Sequence, residues 1–182
     1  MINRYMLIAI FIFSSLLNAK STDLALPAEG FSWKQVDEIK AAFLLPNNWH
    51  YLKEKKGNTL AVFLTKEKIK EGEFFDTGVT VNIFRGNPSA PKQLKQIIEG
   101  LAKKFGSNVS KKLYKPFVRF NTQYDSVRKL DGIKMRTVDI ALINVYTKTS
   151  YLIIFESPVS LWEKNWAIGE TVLNNLALES KI

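Results

Sequence analysis

Hydrophobic positions fall at two spacings along this chain, and the switch between them marks out its elements. Val79, Val81 and Ile83 alternate with Thr80, Asn82 and Phe84, the period-2 signature of a strand with two distinct faces. Residues 60–64 (LAVFL) and 151–155 (YLIIF) are short unbroken apolar runs, which predicts two buried strands. Residues 41–45 form another such run. It stops at Pro46, whose missing N–H cannot continue a central strand. Further on the spacing changes. Leu94, Ile97, Ile98, Leu101, Ala102 and Phe105 recur three and four residues apart, one apolar stripe of an amphipathic helix. Ser89 is placed to cap that helix, Pro91 suits its first turn and Gly106 can end it. Lys92, Lys95, Lys103 and Lys104 lie off the stripe and face water.

The second half repeats the scheme. Residues 117–130 and 133–146 flank Asp131-Gly132, a hairpin signal because both central positions can take positive φ. Residues 55–58 and 147–150 read as polar turns, and residues 66–76 as a charged connection. After Pro158, residues 160–178 predict a closing helix with Trp162, Trp166, Gly169, Leu173 and Leu176 near one face. Strands, helix, strands, helix, with hairpins dominant, predict an α+β domain. Its central, largely antiparallel sheet would carry helices on its faces. No repeat, linker or second domain interrupts residues 31–182.

The amino terminus changes the expected address. Arg4 precedes a mainly apolar run from Met6 to Leu17, and Ala19 supplies a small residue at its end. The run is shorter than the about 20 apolar residues a membrane-spanning helix needs. Residues 1–19 therefore read as a cleaved secretory signal, and residues 20–30 as a polar lead-in to the domain. The expected location is periplasmic or secreted. With no cysteine anywhere, no lipid anchor can follow the signal and no disulfide can staple the fold, so stability must come from the core.

Charge narrows the chemistry. The chain has 26 Lys plus Arg against 17 Asp plus Glu, a net charge of +9. Loss of residues 1–19 would remove only Arg4 from that count. The late basic residues Lys103, Lys104, Lys111, Lys112, Lys115, Arg119, Arg128, Lys129, Lys134 and Arg136 are interleaved with Tyr114 and Phe117. In an exported protein such a cluster suits anionic lipid, acidic glycan or an acidic protein, while nucleic acid does not fit the address.

Catalytic groups are sparse. There is no Gly-rich phosphate loop, no Gly-x-Ser-x-Gly elbow and no Cys/His metal set. His50 is the single histidine; it follows Trp49 past the turn at Pro46 and reads as a surface residue beyond a tryptophan core plug. Glu71, Glu73 and Asp76 could offer oxygen ligands to a hard cation, but their spacing is not that of an EF-hand and Lys66, Lys68 and Lys70 precede them. Adjacent Phe74 and Phe75 cannot both face the core from a regular strand, so one is expected to pack a second helix or to lie exposed as a contact residue.

Several short motifs together resemble a known family. Gly30-Phe31-Ser32-Trp33, followed by Pro46-Asn47-Asn48-Trp49, is similar to the opening of PsbP-like and Mog-type domains, where a G-[FY]-S strand leads to a P-x-x-W turn. A strand like VTVNIF, an amphipathic helix, a hairpin, then YLIIFESPVSLW and VLNNLAL follow in the same order, over about residues 29–178. Extra residues around KQVDEIK depart from the pattern. The resemblance implies an α/β/α sandwich of the Mog1p/PsbP-like kind. It implies protein binding rather than catalysis: PsbP is an extrinsic subunit of the photosynthetic oxygen-evolving complex, and Mog-type members bind the Ran GTPase. It supplies no catalytic residue, metal ligand or cofactor. The expected function is thus an exported, non-catalytic binding or assembly protein with a protein partner, contacted through Lys103, Lys104, Lys111, Lys112, Tyr114, Lys115, Phe74 and Phe75. The alternatives are a binder of anionic envelope surfaces or glycans and a carboxylate-dependent hydrolase.

Overall fold

The computed structural model describes residues 24–179; the expected signal, residues 1–19, and residues 20–23 of the lead-in lie outside them. The strands are β1 (Phe31–Val36), β2 (Ala41–Pro46), β3 (His50–Lys56), β4 (Thr59–Thr65), β5 (Gly78–Phe84), β6 (Ser110–Tyr114), β7 (Phe117–Val127), β8 (Lys134–Asn144), β9 (Ser150–Pro158) and β10 (Leu176–Ala177). Helix α1 (Ala90–Phe105) follows β5, and α2 (Trp162–Asn174) follows β9. Seven strands form one sheet in the order β3-β4-β5-β9-β8-β7-β6, and β1-β2-β10 form a second. Every pair is antiparallel. The fold is α+β and antiparallel.

Side-chain alternation divides the large sheet between two apolar clusters. Along β8, Val138, Ile140 and Leu142 enter one cluster, while Ala141 and Ile143 enter the other. Along β9, Tyr151, Ile153 and Phe155 go with the first and Leu152 with the second. Val79, Val81 and Ile83 share a face, as their spacing predicts, and Phe84 joins the opposite cluster. The first cluster also takes Phe43 of β2, Trp49 and the α2 residues Trp162, Val172 and Leu173. The second takes Leu94 and Ile98, the buried stripe of α1.

Local physics explains most element ends. Gly106 sits at φ 66° and its N–H donates to the Ala102 carbonyl, ending α1. The expected Ser89 cap is absent. The Ser89 hydroxyl and N–H both donate to Asn87 Oδ1, so an asparagine turn precedes the helix instead. The hairpin also differs from expectation. β7 and β8 end at Val127 and Lys134, Arg128 N–H bonds the Ile133 carbonyl, and only Gly132 of the Asp-Gly pair takes positive φ. Asp131 instead accepts the Ile133 N–H and the Arg128 guanidinium, which holds a longer loop closed.

Two further differences come from pairing. The charged stretch HYLKEKK is a full strand because β4 offers it an open edge, leaving only Gly57 and Asn58 as the turn. The closing helix stops at Asn174 rather than running to residue 178. Leu176 and Ala177 pair with Phe43 and Ala42, where β2 would otherwise be an unpaired edge. The departure from the family pattern, KQVDEIK, is the end of β1 and a 3-10 turn at Asp37–Ile39, closed by Lys40 at φ 48°. Trp49 is 5% exposed and packs in the first cluster, while His50 is exposed at the start of β3.

Helix α2 lies unusually close to the sheet. Trp162 and Trp166 stack at 5.1 Å and both tilt against Phe155. A Cβ added to Gly169 would fall 2.5 Å from the Phe155 ring, so no larger residue fits without displacing it. Beneath them Asn165 Nδ2 donates to Ser157 Oγ at 2.8 Å and to Thr77 Oγ1 at 3.1 Å, tying α2 to β9 and to the loop end that leads into β5. Gly169→Ala should lose about 1–3 kcal/mol in chemical denaturation. Gly100→Ala, where the added Cβ meets nothing, should gain about 0.5–1 kcal/mol. Equal effects at the two glycines would contradict the close packing of α2.

Candidate functional site

The sequence-predicted lysines gather at one rim of the large sheet. β6 is its edge strand, and exposed Lys111 and Lys112 point to opposite faces of it. Lys115 lies in the turn beyond, after Tyr114 ends the strand. Lys103 and Lys104 occupy the last turn of α1, where their charge favours the negative end of the helix. Lys104 Nζ lies over Phe105 at 4.9 Å and Lys111 Nζ over Phe120 at 5.8 Å. None of these five lysines has a carboxylate partner among the described residues. Leu113, 69% exposed, sits between them on β6. Val145 and Tyr146 are exposed in the adjoining turn, where Val145 N–H donates to the Pro116 carbonyl.

Of the remaining late basic residues, Arg119 on β7 sits opposite Lys112 at this rim, while Arg136, Lys134 and Arg128 are held in ion pairs elsewhere. Arg136 Nε bonds Asp125 at 2.6 Å and its guanidinium lies 5.5 Å over Trp162. Lys134 pairs with the same Asp125 at 3.8 Å. Arg128 is a staple. It donates to Asp76 at 2.6 Å, to Asp131 at 2.6 Å and to the Phe75 carbonyl at 3.1 Å, joining the β4–β5 connection to the β7–β8 loop.

That staple settles the two phenylalanines: Phe75 is 9% exposed and Phe74 is 74% exposed. Strands β9, β8 and β7 lie between their loop and β6, so the structure does not bring Phe74 or Phe75 together with the lysine rim. Nor does the acidic trio converge. Asp76 is held by Arg128, Glu73 accepts the Lys70 N–H and Glu71 is exposed. Among the described residues no group of three or more His, Cys, Asp or Glu is placed to hold a metal ion.

Beside this loop is a cleft of about 260 Å³ that sequence reasoning missed. Glu54 of β3, Phe63 of β4 and Glu156 of β9 line it from the sheet, and Glu73, Phe74 and Phe75 from the loop. It opens on the face that carries α1, because that helix packs over β7, β8 and β9 and leaves the β3–β4 side uncovered. Asp139 projects from this face too. It is paired with Ile154, which places it diagonal to Glu156 across the β8–β9 ladder. Asp139 is 2% exposed and its Oδ2 has no hydrogen-bond partner. The Tyr124 phenol, stacked on Phe105 at 4.3 Å, bonds to the same carboxyl.

Burial pushes the Glu156 carboxyl up to about 7, with Arg128 opposing the shift and the charges of Asp139 and Asp76 adding to it. Burial likewise raises Asp139 to about 6 against the Tyr124 hydrogen bond. The signal was present in TVDIALIN and LIIFES: each has an acid inside an apolar strand, and alternation sets that acid on the second face.

The native chain holds protons at these two carboxyls that the unfolded chain, with ordinary values of 4.5 and 3.8, has already released. Their contribution to stability therefore falls as the pH rises from about 4 to about 7. Glu156→Gln removes the Glu156 share of that slope. Relative to the parent it should gain about 1 kcal/mol between about pH 5 and about pH 8 in paired urea titrations. A difference that stays constant with pH would refute the burial of this charge.

No family model matches the chain, and no curated protein matches it. Its likeness is to solved structures. The solution structure of cyanobacterial PsbP (CyanoP) from Synechocystis sp. PCC 6803 superposes with a TM-score of 0.54 at 12% identity, covering 82% of this chain and 93% of that one. A crystal structure from Bacteroides thetaiotaomicron VPI-5482 gives a TM-score of 0.45 at 14% identity, over 76% of this chain and 45% of that one. Element order, antiparallel pairing and the superposition over most of both chains agree that this protein has a PsbP-like fold.

Proposed function

We propose that the protein is an exported, non-catalytic binding or assembly protein that engages an acidic protein partner along the β6 edge. The supporting observation is the β6 rim itself: Lys111, Lys112 and Lys115, without carboxylate partners among the described residues, around exposed Leu113. An edge strand presents unpaired backbone groups, and lysines along it repel a second copy of the same edge. An acidic segment meets attraction there, and can add hydrogen bonds to the free side of β6. Leu113, Val145 and Tyr146 would provide the apolar centre that charge alone does not. Export follows from the signal-like residues 1–19. The finer architecture belongs to the same proposal: an α/β/α sandwich of the Mog1p/PsbP-like kind, supported by the separate apolar clusters under α1 and α2.

The same unpaired lysines favour a second reading, adsorption to anionic lipid or glycan. The two separate by salt and by Leu113. Cross-linking in native envelopes should capture a defined protein, and Lys111→Glu with Lys112→Glu should reduce capture at least about tenfold. Leu113→Ser should weaken it while leaving charge unchanged. Binding to phosphatidylglycerol vesicles that vanishes in salt and ignores Leu113→Ser would favour the surface reading. Turnover by the purified protein in a hydrolase screen would overturn both.

A further inference from the structure

Between the end of α2 and the β7–β8 side of the large sheet lies a cavity of about 280 Å³. Phe117, Ile140 and Leu142 line it from the sheet, and Leu173, Leu176 and Leu178 from α2 and the chain beyond it. All six belong to the first apolar cluster or pack against it, so the cavity is a gap at the margin of that core. Water there meets few polar partners, and the apolar walls gain by contact with hydrocarbon instead.

One charged side chain, that of Arg119, lines this apolar gap. Its Nε is buried without a hydrogen-bond partner, and its guanidinium has no carboxylate partner among the described residues. The other arginines among the described residues, Arg85, Arg128 and Arg136, each hold a carboxylate. A buried guanidinium N–H left without an acceptor is costly, and an anion in the cavity removes that cost.

The second, independent observation is the sheet register. Arg119 stands directly opposite Lys112 of β6, so both side chains leave the same face of the sheet. Like charges so placed repel, and no carboxylate among the described residues relieves either of them. The end of α2 fixes the orientation of a ligand. Asn174, its last residue, also lines the cavity, and a helix C-terminus carries partial negative charge. An anionic head group therefore belongs at β7, on Arg119, and an apolar tail belongs toward Leu173, Leu176 and Leu178.

We propose that this cavity binds a medium-chain fatty carboxylate, its head group on the Arg119 guanidinium beside Lys112 and its alkyl chain between Phe117, Leu142 and Leu176. The planar guanidinium offers a carboxylate paired N–H donors, which a lone ammonium cannot. At about 280 Å³ the cavity lies at the small end of ligand pockets, which run from about 300 to about 1,000 Å³, so it takes one short chain rather than a two-chain lipid. Alternation along β6 sets Lys112 on the opposite face from Leu113. The site needs no protein partner, so it goes beyond the edge reading and each can fail without the other.

The test is a calorimetric titration of the full chain with hexanoate, octanoate, decanoate and tetradecanoate, each below its micelle-forming concentration. Octanol and octylamine, of the same chain length as octanoate, are the head-group controls. Saturable binding is expected, with amide chemical shifts moving in residues 117–119, 140–142 and 173–178. Affinity should rise about fourfold per added methylene until the cavity is full, and then level off. Octanoate should bind at least about tenfold more tightly than octanol or octylamine. Arg119→Gln should weaken octanoate about tenfold or more and remove its advantage over octanol, and Lys112→Gln should weaken it about threefold. Lys92→Gln, at the start of α1, should change nothing. Thermal melting confirms that each variant is folded; Lys112→Gln alters an exposed side chain and remains decisive if Arg119→Gln does not fold. The proposal is overturned by an absence of saturable octanoate binding, by equal affinity for octanoate and octylamine, by octanoate affinity unchanged in both glutamine variants, or by a gain that continues undiminished to tetradecanoate.

Discussion

The central ladder of β5, β9 and β8 is the constraint on which the rest of the structure depends. β9 is paired on both sides by strands from different parts of the chain, so its backbone hydrogen bonding is fully internal and its register is fixed. A shift by one residue would exchange Tyr151, Ile153 and Phe155 with Leu152, Ile154 and Glu156, placing an acid under α2 and aromatic rings on the α1 face. The alternation therefore decides at once where both helices can pack and where charge can reside.

From that register the cleft follows. α1 is long enough to cover β7, β8 and part of β9, and its last aromatic, Phe105, stacks on Tyr124. The half of the face under β3 and β4 has no helix, and the β4–β5 connection is the only described loop that borders the opening there with a run of its own residues. Arg128 fixes that loop from the far side of the sheet through two carboxylates and a carbonyl. The Arg128 guanidinium holds the Asp131 carboxyl below the usual carboxylate range and pairs with Asp76 at 2.6 Å. Glu156, which lacks such a partner, moves the other way. The contrast is one of hydrogen-bond partners against burial, the two opposing influences on any carboxyl group.

Charge is also distributed by position. Lysines concentrate on the edge strands, Lys53, Lys55 and Lys56 on β3 and Lys111 and Lys112 on β6, where they face water and discourage sheet-to-sheet association. Lys53 pairs with Glu38 of the β1–β2 turn, so one edge is partly neutralised, while the β6 lysines are not. The interior acids, Asp139 and Glu156, sit on central strands away from them. The basic rim at β6 and the acidic, aromatic cleft beside the β4–β5 loop are two chemically distinct regions of one small domain.

The sequence by itself determined the strand and helix types wherever one strong period ran for several residues, as in VTVNIF, YLIIF and the Leu94–Phe105 stripe. It also indicated that Phe74 and Phe75 would meet different surroundings, and that Trp49 would plug the core beyond Pro46. Those outcomes are set by local geometry and by burial of large apolar groups. Tertiary structure alone decided that HYLKEKK and SKKLY are strands, because neither is apolar enough to announce itself and each forms only against a neighbour's free backbone groups. It alone ended α2 early, since Leu176 and Ala177 gain a β2 partner that no helix turn could supply. It alone set Asp139 beside Glu156, residues seventeen apart in sequence whose shared face depends on the β8–β9 register, a long-range hydrogen-bond pattern that no local spacing encodes.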